Sequence, residues 1–190
     1  MSIAGFVFIG LLIVLILYII VIYNRLVNLK HDTAKAWSNI DVLLKQRHDE
    51  LPKLVETCKQ YMQHEKETLE RVMLARSKVF AASEKSNVGA LGEAEGQLRL
   101  GLTSLFATAE AYPDLKADQS FRNLEQRITG LENAIADRRE FYNETVNNNN
   151  IRLEEFPDIV IARLFAFKPF ELLEFGAEEK ADVDVKALFG

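Results

Sequence analysis

The chain reads as all-α, with a single N-terminal transmembrane helix continuing into an antiparallel up-and-down four-helix bundle. Three features carry that reading. An uncharged run, IAGFVFIGLLIVLILYIIVI, occupies Ile3 to Ile22. Beyond it, apolar residues recur at alternating spacings of three and four, the seam of packed helices. Breakers are sparse, with 9 Gly and 4 Pro in 190 residues, and Ala, Glu, Lys and Leu are abundant.

The apolar run comes first. About twenty residues at 1.5 Å rise per residue match a hydrocarbon core roughly 30 Å thick. Lipid offers the backbone no hydrogen-bond partners, so such a span must be helical. Ile3, Leu12, Leu17 and Ile22 mark its membrane-spanning length, and Tyr18 and Tyr23 sit where amphipathic rings favour the interface. A signal peptide fits poorly. The first basic residue is Arg25, after the run, and no A-x-A site follows directly on the run. Arg25, Lys30 and Lys35 flank the run against a single Asp32, which predicts the N-terminus outside and residues 24–190 in the cytoplasm.

The net charge of −5 lies wholly beyond the anchor. An acidic region without a basic stripe argues against a nucleic-acid partner. Cys58 is the only cysteine, which excludes a disulfide framework and suits a reducing compartment.

Four amphipathic segments follow. The first carries Leu26, Thr33, Trp37, Ile40 and Leu44, with no breaker separating it from the anchor. The second carries Leu51, Val55, Cys58, Met62, Leu69, Val72 and Val79. Pro52 suits the first turn of a new helix, with Asp49 as its candidate cap. The alternative is one kinked helix running through Pro52, and the sequence leaves both open. The third carries Leu91, Leu98, Leu102, Leu105, Ala109 and Tyr112, its start diluted by Gly89, Gly92 and Gly96, and Tyr112-Pro113-Asp114 ends it. The fourth runs from Phe121 through Leu124, Ile128, Leu131, Ile135, Tyr142 and Val146 to Leu153. Asn147 to Asn150 form helices poorly, but the seam spacing across them favours helix. Short links between four such segments imply the up-and-down arrangement. The expected division is an anchor at 1–23, a bundle at 24–155, a Phe-rich amphipathic segment at 156–176 and a flexible acidic tail at 177–190. The Phe-rich segment holds Phe156, Phe165, Phe167, Phe170 and Phe175. It reads either as a short helix capping the bundle or as an apolar patch for a membrane or a partner.

Charged residues on an apolar seam must be paired or lie at a wet edge. Glu65 and Arg76 fall in the second seam and Arg138 and Asn149 in the fourth, with Glu132 and Arg139 beside it. They read as interhelical salt bridges or as a surface for a partner chain. No catalytic, metal or cofactor site is expected. His64-Glu65 lacks the second His that a zinc motif needs, since Thr68 stands at that place. Cys58 lies on the seam and reads as packing. The glycines fit no phosphate-binding pattern.

The ordered motifs resemble the LemA family of bacterial membrane proteins. They are YNRLVNL at 23–29, AW at 36–37, IDVLLKQRHDELPKLVET at 40–57, HE at 64–65, TLERV at 68–72, AR at 75–76, EAYPDLKA at 110–117, ENAI at 132–135, Arg139, YN at 142–143 and FP at 156–157. The chain departs from the family pattern at Leu43, Glu50 and Asn149, and keeps Asn150. The resemblance implies a single-pass anchor in the bacterial inner membrane, a four-helix up-and-down bundle and no assigned enzyme activity. If the up-and-down topology holds, the family's polar motifs place Arg47, Asp49, Tyr112 and Asp114 together at the distal end.

The expected function is a non-enzymatic, membrane-anchored scaffold or adaptor acting by protein–protein contact. The alternative is a self-assembling, homo-oligomeric membrane-organising protein. Arg47, Asp49, Tyr112, Asp114, Glu65, Arg76, Glu132 and Arg139 are the candidate interaction residues. The expected partners are the lipid bilayer and other protein chains or copies of this one, with no cofactor and no small-molecule substrate.

Overall fold

The computed structural model describes residues 3–174. The acidic stretch 177–190 and Phe175 lie outside the described residues. Six helices account for most of what is described, and no strand occurs among those residues. They are α1 (Ile3–Tyr61), α2 (Lys66–Glu84), α3 (Val88–Ala109), α4 (Pro113–Ala117), α5 (Gln119–Glu154) and α6 (Asp158–Leu164).

Of the two arrangements the sequence leaves open at Pro52, α1 takes the continuous one. No new helix begins at Pro52. Its 59 residues run unbroken through Pro52, and the break comes instead at Met62–Glu65. Asp49 caps nothing there and is an exposed interior residue. The second seam, read as one segment over 51–83, is therefore shared between the end of α1 and the whole of α2. The seam residues themselves are as expected: Leu51, Val55, Cys58, Met62, Leu69, Val72 and Val79 are all buried.

The remaining boundaries have local causes. Asn87 caps α3 by accepting the Ala90 N–H at 3.0 Å. Pro113 opens α4, where its missing N–H costs nothing. Asp118 begins α5, its Oδ1 accepting the N–H groups of Ser120 and Phe121 at 2.7 and 3.0 Å. Both α2 and α6 end in Schellman turns without glycine. In the first, Asn87 N–H reaches Ala82 O and Ser86 N–H reaches Ser83 O. In the second, Phe167 N–H reaches Ala162 O and Ala166 N–H reaches Arg163 O. Ser86 and Ala166 accordingly adopt φ of 49° and 54°.

The described residues form two compact units. The first comprises residues up to Ser38 together with Glu140–Glu171. Its packed cluster is Ile22, Leu26, Leu153, Ile161 and Ala162, with Ile19 and Phe167 against it. Thr33 and Ala36 on α1 and Tyr142 and Val146 on α5 are also buried, and the Trp37 and Tyr142 rings lie 5.5 Å apart. The α1 residues before Ile19 are almost wholly exposed, Ile3 at 85% and Leu11 at 65% among them. Among the described residues, α1 is the one helix long and apolar enough to cross a membrane. Exposure of a run this apolar is unfavourable in water by roughly 25 cal/mol per Å² and favourable in lipid.

The second unit comprises Asn39–Arg139 and the residues from Leu172. Its core takes residues from every helix it contains. They include Ile40, Leu44, Leu54 and Cys58 of α1, Val72 and Val79 of α2, Leu91, Leu98 and Leu105 of α3, Leu115 of α4, and Phe121 and Ile128 of α5. Gly101 of α3 packs against Val72 of α2, where an added Cβ would lie 3.4 Å from the Val72 side chain, an ordinary van der Waals distance.

Candidate functional site

The continuity of α1 through Pro52 creates the first polar site. A proline has no N–H, so the carbonyl four residues earlier, that of His48, loses its helical donor. Arg76 of α2 supplies one. Its Nε–H donates to His48 O at 2.8 Å, and its Nη2 donates to His48 Nε2 at 2.6 Å. One turn further along α2, Phe80 stacks on the His48 ring with centroids 4.5 Å apart. Accepting at Nε2 requires a neutral imidazole with its proton on Nδ1, and Nδ1 is buried without a partner. Burial first, then the Arg76 charge, lowers the His48 pKa, with Asp49 pulling the other way. Arg76 stood out in the sequence as a charge on an apolar seam. Its use became visible only with His48 beside it.

The second site ties three helices. Arg47 of α1 is 2% exposed and donates to Glu95 of α3 through Nη2 and to Glu132 of α5 through Nη1, the latter at 3.4 Å. Glu95 is 3% exposed. Removing one member of such a set strands a buried charge, at a cost of about 3–5 kcal/mol. Burial raises the Glu132 pKa, opposed chiefly by Arg47. Close by on α1, Glu50 is also buried. Its Oε1 accepts from Arg127 at 2.5 Å and from Lys53 at 3.2 Å, while Oε2 is buried without a partner.

A third set stands where α1 ends. Tyr112 Oη donates to Glu65 at 3.2 Å, and Tyr61 Oη donates to Asp118 at 3.1 Å. Both tyrosine pKa values are raised, that of Tyr61 mainly by its bond to Asp118 and that of Tyr112 mainly by burial. Asp118 is held low, chiefly by the Phe121 N–H. Beside this end a groove of about 800 Å³ runs between α1 and α2, floored by Val55, Met62, Leu69 and Met73 and edged by Lys59 and His64.

The expected gathering of Arg47, Asp49, Tyr112 and Asp114 at one end does not form. Because α1 continues through Pro52, its end comes at Tyr61, roughly 20 Å along the helix from Arg47. Arg47 joins Glu95 and Glu132, whereas Tyr112 joins Glu65. Asp49 and Asp114 are exposed. Arg139 is half-buried on α5 and has a partner of its own. Arg138, placed on the seam by spacing, is exposed, while Asn149 is 1% exposed.

Sequence reasoning missed His48, Glu50, Glu95, Tyr61 and Asp118. Two of them left signals. Glu95 interrupts the seam between Leu91 and Leu98, and His48 precedes Pro52 by four residues.

In the first unit the segment after α6 is fastened to α5. Asn150 Nδ2 donates to Phe170 O at 2.9 Å and its Oδ1 accepts from Phe170 N–H at 3.0 Å. Tyr142 Oη donates to Glu171 O at 3.0 Å. The polar run Asn147 to Asn150 is thus helical, and part of it serves this fastening.

These features define an all-helical protein built on one helix of membrane-crossing length and held by buried ionic ties. The chain belongs to the LemA family, whose family model matches residues 36–187. It is also similar to the magnetosome proteins MamQ 1 and MamQ 2 of Paramagnetospirillum magneticum (strain ATCC 700264 / AMB-1). Each is 23% identical over 175 residues, covering 80% of this chain. The chain spans 64% of the length of these two relatives.

Proposed function

We propose that this chain is a non-enzymatic scaffold or adaptor, anchored in the bacterial inner membrane by α1 and acting by protein–protein contact. The observation that carries the proposal is the double character of α1. One uninterrupted helix holds an exposed apolar run of membrane length and, further on, the arginine that ties α3 and α5 together. The buried charges Arg47, Glu95 and Glu50 of the second unit are engaged in ion pairs, Arg47 with Glu95 and Glu132, and Glu50 with Arg127. That pattern suits a rigid contact surface better than a reaction centre. Arg25, Lys30 and Lys35 beyond the run support a cytoplasmic placement of the helices that follow. The pairings of Val72 with Gly101 and of Lys78 with Gln97 support antiparallel packing of α2 and α3, and with it the up-and-down four-helix arrangement. Residues 1–23 serve as the anchor, 24–155 as the bundle and 156–176 as a Phe-rich amphipathic segment.

A second reading, self-assembly into a membrane-organising homo-oligomer, is favoured by Val42, Leu74 and Leu100. These stand on three helices of the second unit and are 56–61% exposed. The magnetosome relatives fit either role in an assembly. The test is the native mass of full-length protein gently extracted from its own membranes. A mass that requires other chains supports the adaptor reading. A multiple of the 21.6 kDa chain supports self-assembly. A lone monomer under conditions that preserve known complexes overturns both.

A further inference from the structure

The apolar run of α1 ends at Ile22, and α6 packs against that end. Ile161 and Ala162 of α6 join Ile22 and Leu26 in one cluster, with Ile19 against it. The turn after α6 keeps the same level, since the Phe165 and Phe167 rings lie 4.8 and 5.8 Å from the Tyr23 ring. A short surface helix buried along one face would normally turn a polar face outward. α6 does the opposite. Its outer face carries Val160 at 55% and Leu164 at 71% exposure, extended by Phe156 at 84% and Phe165 at 50%. Val160 and Leu164, four residues apart, share one side of α6, and Phe156 stands exposed in the turn that leads into it. The exposed cations Arg25, Arg163 and Lys168 border this level of the unit.

We propose that α6 is an interfacial foot, lying in the headgroup region of the bilayer that α1 crosses and sinking Phe156, Val160, Leu164 and Phe165 into the acyl boundary. The occupant of this apolar face is lipid because the face continues the apolar run at the depth where hydrocarbon gives way to headgroups. A helix with apolar residues on one side and cations at its edge binds there by burying that side to a depth of roughly 5–10 Å, and aromatic rings such as Tyr23 prefer the same zone. The inference rests on α1 being the anchor and adds a second contact with the membrane. That contact fixes the rotation of α1 about its own axis.

The test uses the full-length chain with Cys58→Ala, reconstituted in vesicles of phosphatidylethanolamine and phosphatidylglycerol. An environment-sensitive dye is placed in turn by Leu164→Cys, Phe156→Cys, Leu12→Cys and, as the water-exposed reference, Glu110→Cys. Quenching is compared between a nitroxide near the carbonyl end of the lipid acyl chain and aqueous iodide. The expected result is several-fold stronger lipid quenching at positions 164 and 156 than at 110, with iodide quenching reduced to match. Water exposure at 164 equal to that at 110, with position 12 buried in lipid, overturns the foot and leaves the anchor standing. Shielding at 164 from both quenchers also overturns it and identifies a protein partner or second copy as the cover. If position 12 is itself open to iodide, the anchor fails and the foot fails with it.

Discussion

Arg76 is predicted to substitute for the hydrogen bond that Pro52 cannot make, and a double-mutant cycle measures this directly. In the wild-type chain, the Arg76 Nε–H bond to His48 O at 2.8 Å is charge-assisted, and its 2.6 Å contact with His48 Nε2 adds to it. Bonds to charged groups contribute about 1.5–3 kcal/mol. Arg76→Met, which keeps much of the aliphatic stem, should therefore cost about 2 kcal/mol. Pro52→Ala restores an N–H that reaches His48 O along the helix, so the carbonyl no longer depends on Arg76. In that background Arg76→Met loses only the ring contact and should cost about 1 kcal/mol, leaving a coupling of roughly 1 kcal/mol. The assay is urea unfolding of the four full-length proteins in one detergent, followed by helical circular dichroism. Equal costs of Arg76→Met in the two backgrounds would refute the idea that the guanidinium fills the proline gap.

Three further outcomes are expected. Arg47→Ala should destabilise by about 3–5 kcal/mol by stranding Glu95, and adding Glu95→Leu should recover much of the loss; thermal unfolding of the single and double variants checks this. Cys58 is fully buried, and burial aided by the Glu125 charge pushes its pKa from 9.0 up to about 12. A thiol reagent at pH 8 should thus label it only as fast as the second unit opens. The folded pKa exceeds the unfolded one, so this thiol lowers stability as pH rises above about 9, and Cys58→Ala should flatten that alkaline loss. Ser86→Gly and Ala166→Gly should each stabilise by about 0.5–1 kcal/mol. A left-handed φ costs a residue with a side chain roughly 1–2 kcal/mol, and the greater unfolded-state freedom of glycine offsets part of the gain. Denaturation midpoints at constant m-value report this change.

The helical seams were legible because burial imposes a period on the chain. Nearly every seam residue named from spacing, from Leu26 to Leu153, is buried or half-buried. The position of the first break was not legible, because it depends on a donor from far along the sequence. Read locally, Pro52 should end or kink a helix. Arg76, on another helix, removes the local penalty. The polar sites were half visible for the same reason. A charge on an apolar seam announces that a partner exists, as Arg76 did, but spacing within one helix does not name the partner on the next. Arg47 and Tyr112 can share one end only if the chain turns near Asp49, and the continuous helix carries them apart.

The fastening of the post-α6 segment has a consequence for how this region tolerates change. The Asn150 carboxamide presents a donor and an acceptor together, as a peptide unit does, and both meet the backbone of Phe170 rather than its side chain. The tie itself is therefore indifferent to the side chain at position 170, proline excepted, but not to that at position 150, because aspartate lacks the donor and alanine lacks both groups. The constraint on the stretch between Phe165 and Phe170 is one of length. An inserted or deleted residue there would force a choice between seating Phe167 beside Tyr23 and presenting a peptide to Asn150, while many substitutions would pass unnoticed.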